Sequence, residues 1–298
     1  MHSIRELNLA HLIGRQVGSS TLLKEIARGA MGAVFLAYQR TLKRQIAVKI
    51  LPKSLITPAT ADTFQQEAEA AAILSHPNII PIYEVGDTED FFFFTMQLVR
   101  GRPLSDYISR AQKNVLPSKR TLPLKETLRI VTSVLDALGY AHSQDIVHRD
   151  VKPGNILIEG HTHRPIVTDF GVARVSRHSA ETSPMLVGTP IYMPPEQILN
   201  PDVDGRADIY ATGTMLFEML IPEPLFPKVH SVEELFNMKL NQEDRLFPKR
   251  PSELNPKIHE EMDEILFKAL AHDPEKRYAT CPEFREQLEG YRDRYLRN

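Results

Sequence analysis

Cysteine is almost missing from this chain, with one residue, Cys281, in 298. A single thiol excludes an intrachain disulfide framework and a multi-thiolate zinc site, and it fits a reducing compartment. Cys281 itself reads as a small buried or capping residue. Charge imbalance is also missing: 36 basic against 38 acidic side chains leave a net charge of −2 and a pI near 6.6. Bulk electrostatics therefore give no reason to expect a nucleic acid or a membrane surface as partner. Long apolar runs are lacking too. The longest, Phe91 to Phe94 and Met215 to Pro222 with Glu218 inside it, fall far short of the ~20 residues that span a bilayer. The first twenty residues have polar or charged groups every few positions and no apolar core of a signal peptide. A GxxxxGK[ST] phosphate loop does not occur, and there are no internal repeats or low-complexity segments. These absences leave an ordinary globular chain, 42% hydrophobic and 25% charged, long enough for two small lobes or one large domain.

The most informative stretch is His148-Arg149-Asp150-Val151-Lys152-Pro153-Gly154-Asn155. It puts a carboxylate, an ammonium and a carboxamide on one short polar loop, between an apolar periodic segment and the strand-like Ile156-Leu157-Ile158. Those three groups suit phosphoryl transfer. Asp150 would accept the proton of an attacking hydroxyl, Lys152 would neutralise charge on the moving phosphate, and Asn155 would offer an oxygen to a hard divalent cation. Asp169-Phe170-Gly171 follows and adds a second metal carboxylate, Asp169. Either short motif alone is an ordinary polar turn; order and spacing along the chain decide.

Upstream stand a glycine-bearing loop, Ile26 to Val34, and Ile46-Ala47-Val48-Lys49 on a strand pattern. Downstream stand Gly188-Thr189 and Pro194-Pro195-Glu196. In this set and order the sequence resembles the eukaryotic-like (Hanks-type) Ser/Thr protein kinases, bacterial branch, over roughly residues 20 to 290. The resemblance implies an α+β, bilobal protein-kinase-like fold. A small antiparallel β N-lobe with one main helix would span about 21–99, and a larger, mainly α-helical C-lobe about 100–290. Residues 1–20 would be a lead-in and 291–298 a C-terminal tail.

The residues support this division. Three short strands are expected at Leu22 to Ala27, Ala33 to Tyr38 and Gln45 to Leu51, as an antiparallel meander. In the first hairpin, Gly29 and Gly32 would let backbone N–H groups approach phosphate oxygens with no Cβ in the way. The family pattern has three glycines here, and Ala27 stands in place of the first, which predicts weakened nucleotide affinity at most. Lys49 lies among Ile46, Val48 and Ile50, an awkward place for a lysine unless it meets phosphates and a carboxylate. A helix is expected from Thr57-Pro58. On it Glu67 shares a face with Phe64, Ala71 and Leu74, whereas Glu69 points away, so Glu67 is the predicted partner of Lys49. His76, in Ser75-His76-Pro77-Asn78-Ile79, reads as structural.

Two more strands are expected between residues 79 and 99, with the Phe91–Phe94 run as core. By resemblance, Met96 is the gatekeeper, Gln97 to Val99 form the adenine-binding hinge, and Ile26, Ala27, Val34, Ala47 and Leu157 belong to the nucleotide-binding set. In the second lobe, Leu124, Leu128, Val131, Leu135 and Leu138 recur at helical spacing and mark a long amphipathic helix ending near His142, after a surface loop from Gln112 to Pro123. An apolar helix from Asp208 to about Leu220 is expected, with Asp208 bracing the 148–155 loop and Pro222 to Pro227 ending it. Ser231 and Pro256 are expected to open two further amphipathic stretches. The resemblance also pairs Arg277 with Glu196.

Three function classes follow. An active protein Ser/Thr kinase needs Lys49, Glu67, Asp150, Asn155 and Asp169, and all are present. A pseudokinase or ATP-binding scaffold is supported only by Ala27. Small-molecule phosphotransferases of kinase-like fold are disfavoured by the complete stretch from Gly188 to Glu196, the platform for a peptide in protein kinases. Lys152 and Thr189 favour Ser/Thr over Tyr. The resemblance thus implies ATP with Mg²⁺, or Mn²⁺, transfer to Ser or Thr of proteins, autophosphorylation within the segment between Asp169 and Glu196, and a transient homodimer for that event. A cytoplasmic location is expected, with no membrane contact from this chain itself; any anchor, common after the kinase domain in bacterial relatives, would lie outside it.

Overall fold

The computed structural model describes residues 8–29, 32–55, 68–69, 71–170, 190–200, 202–226, 229–241 and 249–296. The chain divides into two compact units, residues 1–100 with 170–189, and residues 101–169 with 190–298.

The first unit is built on a six-stranded antiparallel sheet in the order β1-β2-β3-β4-β6-β5. Its strands are β1 Gln16–Val17, β2 Ser20–Arg28, β3 Ala33–Gln39, β4 Arg44–Pro52, β5 Ile82–Asp87 and β6 Phe91–Met96. The expected meander is present, each strand slightly longer than the apolar pattern alone suggests. Alternation along β3 and β4 sends Phe35, Ala37, Ile46, Val48 and Ile50 into one core, joined by Leu22. The phenylalanine run splits by the same period: Phe91 and Phe93 join that core, while Phe92 is half-buried beneath the Lys53 ammonium, 4.8 Å from the ring centroid.

Residues before the first expected strand also fold. Ala10–Leu12 form a 3₁₀ turn, β1 pairs with β2, and Leu9, Leu12 and Val17 are in the core. Gly18 makes the turn between β1 and β2 at φ +52°, a left-handed conformation, and a Cβ there would run into the Glu84 carboxylate. The start of the helix expected at Thr57-Pro58, and Glu67 with it, lie outside the described residues. Residues 68–69 and 71–72 are helical, with Ala68, Ala71 and Leu74 buried and Glu69 exposed.

The second unit is mainly helical. A small antiparallel sheet of β7 Gly101–Pro103, β8 Ile156–Glu159 and β9 Pro165–Val167 frames the 148–155 loop. The helices are α1 Leu104–Gln112, α2 Leu124–His142, α3 Pro195–Leu199, α4 Arg206–Leu220, α5 Val232–Asn241, α6 Pro251–Leu254, α7 Glu260–Ala269 and α8 Cys281–Tyr295. The periodic leucines do what their spacing demands: Leu128, Val131, Leu135 and Leu138 of α2 are fully buried. Helix α4 is apolar nearly all round and is buried accordingly. Helix α8 packs along α2 and places Cys281, fully buried, at its first turn, where burial pushes the thiol well above its ordinary pKa.

The Ser231 Oγ accepts from the Glu234 N–H and caps α5, as expected of that position. Pro256 does not open a helix. Asn255 to Ile258 close a turn, held by the Asn255 side chain on the Leu220 carbonyl at 2.8 Å, and the helix begins at Glu260 with three acidic residues in its first turn. Among the described residues no helix is long and apolar enough to cross a membrane.

Candidate active site

In the second unit the candidate groups are organised by one buried carboxylate. Asp208, near the start of α4 and 1% exposed, accepts from the backbone N–H of His148 at 2.9 Å and of Arg149 at 2.8 Å, and from His142 Nε2 at 2.8 Å. Burial pushes this carboxyl up, but the hydrogen bonds from His142 and the His148 amide outweigh that and hold it below its ordinary value. The expected bracing of the 148–155 loop is therefore present, and His142 joins it. Arg149 adopts the left-handed conformation, φ +63°, costly for a side chain of its size. Its peptide groups are pinned on both sides, the N–H by Asp208 and the carbonyl by Gln197 Nε2 at 2.9 Å.

The ring of His148, wholly buried, ties the loop to the strand behind it. Nδ1 accepts from the Asp150 N–H at 3.2 Å, and Nε2 lies 2.9 Å from the Thr168 carbonyl, which fixes Nε2 as the donor. Thr168 returns the link, since its N–H and hydroxyl both donate to the Asn155 carbonyl, at 2.9 and 3.1 Å. Loop and β9 are thereby sewn together just before Asp169, itself held at φ +62°.

Within this frame Asp150, Lys152 and Asn155 converge. Lys152 Nζ donates to Asp150 Oδ2 at 2.6 Å, and Asn155 Nδ2 donates to the same oxygen and to the Asp150 carbonyl, both at 2.9 Å. Both partners of Nδ2 are acceptors only, so the orientation of the buried Asn155 carboxamide is decided, and Oδ1 is left as a hard oxygen for a cation. Among the described residues there is no group of three or more His, Cys, Asp or Glu able to hold a metal. A magnesium ion shared with phosphates needs no such cage, since one or two protein oxygens suffice.

In the first unit, register sets the positions. Lys49 of β4 pairs with Val34 of β3 and Phe94 of β6; its neighbours Val48 and Ile50 are fully buried, while Lys49 is half-buried, with Nζ 5.7 Å from the Phe94 ring. Ala47 lies opposite Met96, both buried, and Ile26 is exposed. A register shift falls between Glu25 and Ala27, after which Ala27 pairs with Val34. Gly29 N–H donates to the Gly32 carbonyl at 2.9 Å and closes the turn. A Cβ on Gly32 would come within 2.5 Å of the Ile50 carbonyl, so this glycine is required by the approach of β4 whatever else it serves. After β6, Gln97 N–H is spent on the Pro81 carbonyl at 3.2 Å.

Two further features lie beside the 148–155 loop. Arg277, its side chain fully buried, uses all five donors: bidentate to Glu196 at 2.6 and 2.8 Å, and to the carbonyls of Ala271, Arg206 and His272. The pairing implied by resemblance is present, and three carbonyl contacts accompany it. The 190–193 segment is fastened to α4 and α5, by Tyr192 to Glu218 and by Lys239 to the carbonyls of Ile191 and Met193. Sequence reasoning missed His142, Gln197 and Lys239. Only Lys239 left a signal, since it follows Leu235 by one turn on the apolar face of α5.

Comparison with known proteins agrees with this architecture. The protein kinase domain model matches residues 20–288. The serine/threonine-protein kinase PrkC of Bacillus subtilis is 34% identical over 280 residues, 93% of this chain and 41% of that protein. Pkn1 of Myxococcus xanthus, also a serine/threonine-protein kinase, is 34% identical over 93% of this chain and 39% of its own length. The chain thus spans about two fifths of the length of these relatives. Among solved structures, the PknI kinase domain of Mycobacterium tuberculosis superposes with a TM-score of 0.74 at 27% identity, covering 94% of this chain and 98% of that one. With the sheet order, the Asp208-braced loop and the Arg277–Glu196 pair in place, the chain belongs to the protein kinase domain family, in its bacterial serine/threonine branch.

Proposed function

We propose that this chain transfers the γ-phosphoryl group of ATP to serine and threonine hydroxyls of proteins, with Asp150 as the base. The observation that carries the reading is the cluster of Asp150, Lys152 and Asn155 around one oxygen, Asp150 Oδ2. Asp150 would hold the acceptor hydroxyl and take its proton, while Lys152, 2.6 Å away, would meet the negative charge that develops on the transferred group. Asn155 and Asp169 would hold Mg²⁺, or Mn²⁺, which when bound neutralises phosphate charge. Lys49, with Glu67, would orient the phosphates, Gly32 would offer its backbone N–H to them, and Gly29, whose own N–H is bonded to the Gly32 carbonyl, would let the loop backbone come close. Ile26, Ala27, Val34, Ala47 and Leu157 would enclose the adenine, with Met96 at the rear. Because the Gln97 N–H is already bonded to Pro81, adenine recognition falls to the Gln97 carbonyl and to Val99.

Activity on proteins would depend on autophosphorylation between Asp169 and Glu196, most readily at Thr182 and next at Ser183, through a transient homodimer. All of the Ser and Thr candidates there lie outside the described residues. Arg149 supports this reading. Its Nε is buried without a hydrogen-bond partner among the described residues, and a phosphate carries about −1.5 to −2 charge and three acceptor oxygens. A cytoplasmic location belongs to the same reading, in line with a chain that has one cysteine and so no intrachain disulfide.

The test is transfer from γ-labelled ATP by purified protein with Mg²⁺ or Mn²⁺, alone and with a generic basic protein, followed by phosphoamino-acid analysis. Label on serine or threonine is expected. ATP binding without transfer would favour the scaffold reading instead.

A further inference from the structure

Lys239 is a lysine where a helix packed into a core should have an apolar residue. It is 1% exposed, and among the described residues it takes part in no ion pair, although Arg277 and Glu196 lie close enough to bear on its charge. Its Nζ donates to the Ile191 carbonyl at 2.7 Å and the Met193 carbonyl at 2.6 Å. The rings of Phe226 and Tyr210 lie 4.6 and 5.2 Å from the ammonium and complete its surroundings. Carbonyls and ring faces compensate a buried cation less well than a carboxylate would. Burial accordingly drives the amine down to about 7, with Arg277 pushing the same way and Glu196 against. A side chain kept at such expense has something to hold, and what it holds is 190–193. That segment lies within the run from Gly188 to Glu196 which the kinase reading makes the peptide platform. Tyr192 ties its middle residue to Glu218 on α4, and Lys239 ties the residues on either side of Tyr192 to α5.

We propose that Lys239 is a positioning residue for the protein substrate, clamping the backbone of residues 191–193 onto α5 so that a peptide meets a preformed platform. The inference rests on the kinase reading and names a determinant of protein binding, separate from nucleotide binding and from the chemical step. The stability and affinity effects of removing it should have opposite signs. Methionine has nearly the length of lysine and no charge, so Lys239→Met removes the clamp while filling the same space. The melting temperature should hold or rise, because a poorly compensated buried charge is removed. The KM for a protein or peptide substrate should rise roughly tenfold or more, the worth of a hydrogen bond from a charged donor. The KM for ATP and the rate at saturating peptide should stay within about twofold, since no nucleotide contact is touched. Lys239→Gln, a neutral donor of shorter reach, should fall between.

Hydrogen exchange supplies a readout independent of turnover: amides of residues 191–193 should exchange faster in Lys239→Met, with α2 and α4 unchanged. A lowered melting temperature with both KM values raised together would make Lys239 a structural residue only and overturn the proposal. Unchanged exchange at 191–193 would overturn it as well. If the wild-type protein transfers no phosphate to any protein, the kinase reading and the substrate role fall together, whereas faster exchange would still show the clamp.

Discussion

Asp150 and Lys49 are held by different means. Around Asp150, side chains from α4, α3 and the residue after β9 converge on the loop backbone: Asp208 takes two N–H groups, Gln197 donates to a carbonyl and Thr168 to the Asn155 carbonyl, while the loop's own His148 reaches the Thr168 carbonyl and His142 of α2 backs Asp208. Lys49 takes its place from strand register, between Val34 and Phe94, and the carboxylate expected to meet it, Glu67, belongs to another stretch of the sequence. A carboxylate on a loop cross-linked in this way is preformed. The 148–155 side should therefore be sensitive to the loss of single side chains, and the sheet side tolerant of them.

The largest effect that would sharpen this contrast lies at Arg277. Glu196→Ala should cost about 3–5 kcal/mol of stability, because it leaves the fully buried Arg277 guanidinium without its carboxylate, and Arg277→Ala should cost comparably, because it removes five hydrogen bonds at once. In a double-mutant cycle on denaturant midpoints, the double variant should be no worse than the poorer single. Additive losses would mean that the pair does not act as a unit.

Next comes Asp208→Asn, expected to cost about 1–3 kcal/mol, since a carboxamide cannot accept from all three donors now facing the carboxylate. This loss should depend on pH. The folded-state pKa of Asp208 is lowered, so its contribution is complete above the ordinary carboxylate range and fades as pH falls through the lower folded value. Unfolding free energies measured from neutral pH into the acid range should show wild type and variant converging at the acid end. A gap independent of pH would remove Asp208 from its assigned role.

The smallest effect belongs to the sheet side. Ala27→Gly, which restores the glycine of the family pattern, should change the KM for ATP by less than about fivefold, in line with the ~1 kcal/mol separating Gly from Ala in a strand. A much larger change would show the first unit to be as finely tuned as the second.

The same contrast explains what could be read in advance. Period-2 alternation located β2 to β4, and the leucine spacing located α2 almost to the residue, because both signals are local and repeat. Asp208, Glu196 and Arg277 were legible only through resemblance, as their partners lie 59 to 81 residues away. His142 and Gln197 carried no pattern at all: one sits at the end of an amphipathic helix, the other in a five-residue helix. Lys239 was hidden because its carbonyl partners, Ile191 and Met193, lie 46 to 48 residues away. Residues 9–17 were hidden by brevity, since a two-residue strand has no period to detect.

The most direct measurement of the central claim compares wild type with Asp150→Asn in two assays on the same preparations, phosphate transfer to a protein substrate and thermal stabilisation by Mg-ATP. Transfer should fall by at least about 10²-fold, the lower end of what a positioned base contributes, while stabilisation by nucleotide survives. An Asp150→Asn protein that transfers phosphate within a few-fold of wild type would contradict the account.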